Sequence, residues 1–143
     1  MREILFRGKR ISNGEWVEGF YFQKQNPFRE DGLPLTHAIS DMPPFGYDVL
    51  PETVGQFTGL YDKNGKRIFE GDIVSQKRNG FETLYVTIFT DKDVGSCGCC
   101  YPSFDGIGFV FESVKGTRAN VFDLYPLEVV GNIHDNKEML TGQ

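Results

Sequence analysis

Three thiols crowd one short stretch, Gly95-Ser96-Cys97-Gly98-Cys99-Cys100-Tyr101, and thiolates are strong metal ligands and redox groups. Zinc takes four ligands, commonly from two separate Cys-x-x-Cys knuckles. Here Cys97, Cys99 and Cys100 form one tight group with no second cluster, and the histidines, His37 and His134, are remote in sequence. The adjacent pair Cys99-Cys100 also disfavours a disulfide, because it would close a strained ring. The pattern reads as reduced cysteines in a loop, with no metal expected. A metal site completed by His37, His134 or another subunit is the alternative.

Acid–base chemistry would have to pair Glu70 or Asp72 with His134. A carboxylate beside a glycine at a strand entrance more often accepts a backbone hydrogen bond, and Glu70-Gly71-Asp72 is read that way. Asp62-Lys63-Asn64-Gly65 superficially resembles a calcium loop. An EF-hand, however, needs glycine at its sixth position and glutamate at its twelfth, and glycine here falls fourth. Gly106-Ile107-Gly108 lacks the third glycine of a dinucleotide loop, no Gly-x-x-x-x-Gly-Lys phosphate loop is present, and no serine stands in a nucleophile elbow. No catalytic residue and no cofactor are expected, and the chain is not read as an enzyme.

The elements that must position these residues are hairpins. Thr53 to Val74 places two apolar runs around Asn64-Gly65, the strongest short-range hairpin signal. A two-residue type I′ turn is expected there, with Gly65 at positive φ. Glu70-Gly71-Asp72 then opens the next strand, which Ile73 and Val74 continue. Asn13-Gly14 joins Ile4–Ile11 to Trp16–Phe22 with the same turn chemistry, and Asn79-Gly80 joins Asp72–Gln76 to Phe81–Thr90. Further strands are expected over Gly108–Val114 and Leu127–His134, the latter kinked at Gly131, with a helical turn over Lys137–Leu140. With 17 Gly and 7 Pro spread along the chain, long helices are not expected.

The 143 residues suit one domain, all-β, with successive hairpins forming a small barrel or sandwich. Within it, 1–22 is the N-terminal hairpin, 23–49 a loop-rich insert and 50–136 the β core. Pro27, Pro34, Pro43 and Pro44 interrupt regular ladders in the insert, leaving one short strand near His37 to Ile39. Both faces of Trp16–Phe22 are largely apolar, so the N-terminal hairpin is covered on two sides, by its own domain or by a second subunit. Self-association through it is the expectation.

Five segments in order carry a family resemblance: Arg2-Glu3-Ile4-Leu5-Phe6-Arg7-Gly8, Trp16-Val17-Glu18-Gly19, Thr53 to Gly59, Asp62 to Val74, and Val130-Gly131-Asn132-Ile133-His134-Asp135-Asn136. Together they resemble the YopX family, small proteins of bacteriophages and prophages. The resemblance implies an all-β fold and self-association. It implies no established activity and supplies no catalytic residues. Residues 23–49 and 92–126 contribute nothing to it.

Charge bounds the partners. The net charge of −5 argues against a surface dominated by phosphate contacts. Two basic clusters nevertheless stand out: Arg7, Lys9 and Arg10, then Lys63, Lys66 and Arg67. Such charges commonly decorate hairpin ends and discourage edge-to-edge aggregation. No run approaches the length of a membrane span, and the early charges Arg2, Glu3 and Arg7 do not suit a signal peptide, so a bacterial cytoplasm is the expected setting. The reading is an accessory phage or prophage protein, homo-oligomeric, that binds a phage or host protein. A nucleic-acid binder, using the basic turns with Trp16, Tyr21 and Phe22 as stacking platforms, is the alternative.

Overall fold

Alternating apolar runs between glycine-bearing turns do fold as antiparallel strands. The computed structural model describes residues 4–25, 35–42, 45–90, 108–113, 118–119 and 127–141. The chain divides into two compact units, Met1–Gly59 and Leu60–Gln143.

The first unit holds β1 (Phe6–Lys9), β2 (Trp16–Gln25), β3 (Leu35–Met42), β4 (Phe45–Asp48), a 3-10 turn at Pro51–Thr53, and most of β5 (Gly55–Tyr61). Its strands run β4-β3-β2-β1-β5, each antiparallel to its neighbour. Register is set by pairs such as Lys9↔Trp16 and Tyr21↔Ile39. Ala38, Ile39, Val49 and Phe57 are buried. The Thr53 hydroxyl fastens the 3-10 turn to β1: it accepts from the Lys9 N–H at 2.9 Å and donates to the Leu50 carbonyl at 2.6 Å. After β4 the chain curls back to β1 through the bridge Arg10↔Val49, with Ile11 N–H donating to Asp48 O and Leu50 N–H to Lys9 O.

One expectation changes here. Residues 23–49 are not a long loop with one short strand: β2 runs on to Gln25, and β3 and β4 follow as full members of the sheet. Pro27, Pro34, Pro43 and Pro44 lie outside the described residues. The N-terminal hairpin, for its part, lies inside the sheet, since β2 pairs with β3 and β1 with β5. β2 pairs with β1 over residues 16–19 and with β3 over 20–25, while β1 meets β5 at Phe6 and Arg7.

The second unit contains β6 (Arg67–Phe69), β7 (Asp72–Arg78), β8 (Phe81–Thr90), β9 (Gly108–Ser113), β10 (Arg118–Ala119), β11 (Glu128–Asn132) and the short helix α1 (Glu138–Thr141). One antiparallel sheet runs β10-β9-β8-β7-β11. The last strand returns to pair with β7, and its register shifts between Val129 and Gly131, where the kink was expected. Ile68, Val74, Phe111 and Leu127 form the buried cluster, with Leu60, Tyr85 and Val129 packed against it. The strands thus make two antiparallel sheets. Both have edges among the described residues, so neither closes on itself as a barrel. No helix among them is long and apolar enough to cross a membrane.

The three Asn-Gly pairs make three different turns. Asn79-Gly80 is the two-residue type I′ turn, with φ of 53° and 80°, between the paired residues Arg78 and Phe81. Asn79 is the one non-glycine residue at positive φ among the described residues, so Asn64-Gly65 and Asn13-Gly14 are not type I′. At Asn64-Gly65 the Gly65 N–H reaches back to Asp62 O and the Asp62 N–H crosses to Lys66 O, with Gly65 at φ 82°. This is the longer loop in which an ordinary turn is closed by a left-handed glycine. The cause is Asp62, whose carboxylate gathers the N–H groups of Asn64 and Lys66 into a wider loop. At Asn13-Gly14 the loop spans 10–15: Gly14 N–H donates to Arg10 O and Arg10 N–H to Glu15 O.

Candidate functional site

Asp72 enters β7 buried, at 1% exposure, and its Oδ2 accepts from the Phe69 N–H at 2.8 Å. That is the turn-acceptor role expected of a carboxylate at this position. The Gly71 carbonyl accepts from Ile133 N–H and the Gly71 N–H donates to Thr87 O, so strands on both sides hold the turn. His134 Nε2 stands 3.6 Å from where a Cβ on Gly71 would be. The structure therefore brings His134 to the Glu70-Gly71-Asp72 turn, although the buried Asp72 is already spent on backbone bonding. Beyond the strand, Asn132 Oδ1 accepts from the N–H groups of His134 and Asp135, each at 2.9 Å. Asn132 thereby shapes the loop that presents His134.

Asp62 organises more than the sequence showed. Its Oδ1 accepts from Asn64 N–H at 2.9 Å and Lys66 N–H at 2.8 Å, and its Oδ2 from Val129 N–H at 3.0 Å. Lys63 N–H donates to Leu127 O beside it. Burial works against ionisation of Asp62. The donors from Val129, Lys66 and Asn64, aided by the Lys66 charge, outweigh it and hold the carboxyl below the usual range. The residues that suggested a failed calcium loop thus staple the loop to β11. The signal in the sequence was an aspartate two residues before Gly-containing turn positions, an Asx turn.

The first basic cluster folds around two rings. The Arg7 guanidinium lies 4.8 Å and the Lys9 ammonium 5.9 Å from the Trp16 ring centroid, and the Arg10 guanidinium 4.1 Å from that of Tyr47. Arg7 is buried and Trp16 half-buried. Arg10 also meets Glu15 at 3.9 Å. Arg10, Ile11, Ser12, Gly46, Tyr47 and Asp48 line a cleft of about 320 Å³ along the seam between β4 and the 10–15 loop. In the second cluster, Lys63 pairs with Glu128 at 3.4 Å, Lys66 is exposed and Arg67 is half-buried. Tyr21 and Phe22, read as stacking platforms, are also half-buried. Phe22 packs against Gly46, while Tyr21 Oη shares a hydrogen bond with His37 Nδ1 and accepts another from Gln23 Nε2 at 2.9 Å.

Cys97, Cys99 and Cys100 lie outside the described residues, as does Gly106-Ile107. Among the described residues no group of three or more His, Cys, Asp or Glu side chains is placed to hold a metal.

The family described as YopX protein matches residues 5–141. The chain belongs to the YopX family. A solved structure, the crystal structure of protein EF1440 from Enterococcus faecalis, shares the YopX chain's fold with a TM-score of 0.54 at 22% identity. The match covers 98% of this chain and 99% of that one. No curated protein matches. Of the segments that carried the YopX resemblance, Asp62 to Val74 and Val130 to Asn136 meet where the Ile133 N–H donates to the Gly71 carbonyl.

Proposed function

We propose that this YopX protein acts by binding rather than by catalysis, as a homo-oligomeric interaction module. It would serve as an accessory protein of a phage or prophage in the bacterial cytoplasm, assembling before it engages a phage or host protein. The observation that carries the reading is Phe20, which lies in β2, a strand interior to its sheet, yet is 54% exposed. Ile4, Ile11 and Tyr47 of the same unit are also about half exposed. Covering one such half-exposed side chain is worth about half of the roughly 1.5–3 kcal/mol of full burial, and a second copy is the simplest cover.

Deleting the N-terminal hairpin would dismantle the sheet, so a point substitution is the cleaner test. Sedimentation velocity of the parent should show an oligomer at micromolar concentration, and Phe20→Glu should shift it to a folded monomer whose unfolding midpoint no longer depends on protein concentration. A parent that sediments as a monomer would refute the reading.

The second reading, nucleic-acid binding, rests on the cation–ring pairs at Trp16 and Tyr47 and on exposed Lys66. A steep, salt-dependent loss of DNA or RNA affinity in Lys63→Ala and Lys66→Ala would favour it.

A further inference from the structure

The pairs Asn13-Gly14, Asn64-Gly65 and Asn79-Gly80 all stand in exposed turns, and the structure leaves only one of them chemically unguarded. An Asn-Gly pair can rearrange without an enzyme. The glycine amide nitrogen loses its proton and attacks the asparagine Cγ; the Cγ–Nδ2 bond breaks and ammonia leaves. Water then opens the resulting succinimide at either carbonyl, giving aspartate or isoaspartate. Glycine permits the attack because no side chain obstructs its nitrogen. The nitrogen must, however, be free to lose its proton and swing toward Cγ.

At the first pair, Gly14 N–H donates to Arg10 O at 3.0 Å, and the Asn13 carboxamide is held by accepting from Glu15 N–H at 3.0 Å. At the second, Gly65 N–H donates to Asp62 O at 3.0 Å. The Asp62 carboxylate, bonded to Asn64 and Lys66 N–H groups in that same loop, also opposes a developing amide anion. At the third, no hydrogen bond among the described residues engages either the Gly80 N–H or the Asn79 carboxamide. Both residues are exposed, and so is Lys77, two residues before Asn79, a cation that favours the anion.

We propose that Asn79 is a site of spontaneous deamidation through a succinimide with Gly80. The product adds a negative charge at the tip of the β7–β8 hairpin, two residues from Phe81, which is 77% exposed. Its isoaspartyl form also lengthens the backbone of a two-residue turn that has no slack.

The test is to hold the purified full chain at mildly alkaline pH, native and in parallel unfolded in denaturant. Peptide mapping with isoaspartyl methyl-transfer labelling then follows each Asn-Gly pair over time. In the native chain Asn79 should convert several-fold faster than Asn13 and Asn64, whereas in denaturant the three should convert at comparable rates. Asn79→Gln should abolish the early acidic species. Conversion of Asn13 or Asn64 as fast as Asn79 in the native chain would overturn the assignment.

Discussion

Asp62 accepts three backbone hydrogen bonds, two from its own loop and one from Val129. Asp62→Asn replaces an acceptor oxygen with an amide that faces a donor, and should cost about 2 kcal/mol of stability by denaturant unfolding. The pH dependence has a definite sign. Because the folded carboxyl is held below its ordinary value, its contribution is complete above the unfolded value of about 3.9 and is lost as pH falls through the lower folded value. The stability gap between parent and Asp62→Asn should therefore be constant near neutrality and narrow only in acid. Gly65 and Gly71 sit at φ 82° and 89°, angles a β-branched residue resists. Gly65→Val should cost about 1–2 kcal/mol through backbone strain alone, since open space surrounds it. Gly71→Val should cost at least as much, because the same angle is strained and an added Cβ would already touch Ile133 and His134 at 3.6–3.7 Å, leaving the two methyl groups beyond it to crowd them. The glycine at positive φ was legible from Asn64-Gly65. The turn type was not, because the Asn-Gly pair by itself does not show that the Asp62 carboxylate gathers the Asn64 and Lys66 N–H groups into a wider loop.

Elements separate into those whose patterns point inward on one face and those buried on both. β8 alternates, follows a two-residue turn and was read correctly from its spacing. β3 carries little of this signal in its sequence. Its Thr36, Ala38, Ile39 and Ser40 are all buried, so period-two alternation disappears, and the prolines nearby suggested a loop. Ile39, wholly buried in that strand, is the measure of its importance: Ile39→Ala should cost about 2–5 kcal/mol, far more than a loop residue would. Lys63, by contrast, forms a half-exposed ion pair with Glu128. Lys63→Ala and Lys66→Ala should each stay within about 0.5 kcal/mol of the parent by the same unfolding assay. Of the candidate site, the acceptor role of Asp72 was legible from a carboxylate at a strand entrance. The approach of His134 was not, because it depends on β11 returning to β7 across the length of the unit.

At the scale of the whole molecule, the two units differ in how far apart along the chain their partners lie. The first unit's strands neighbour one another within residues 6–59, mostly through successive hairpins. The second is finished by β11, whose residues pair with β7 and whose Val129 is gripped by Asp62. Long loops must close before such contacts form, which slows folding and delays it during synthesis. On a translating ribosome the first unit can gather its sheet while the second still waits for residues 127–132 to emerge. Until then the flank of β7 that β11 will cover is a bare strand edge, ready to pair with another nascent copy. Crowding of ribosomes on one message would then steer early pairing between neighbouring chains, a risk that slow codons in the stretch before β11 would lengthen and fast ones would shorten.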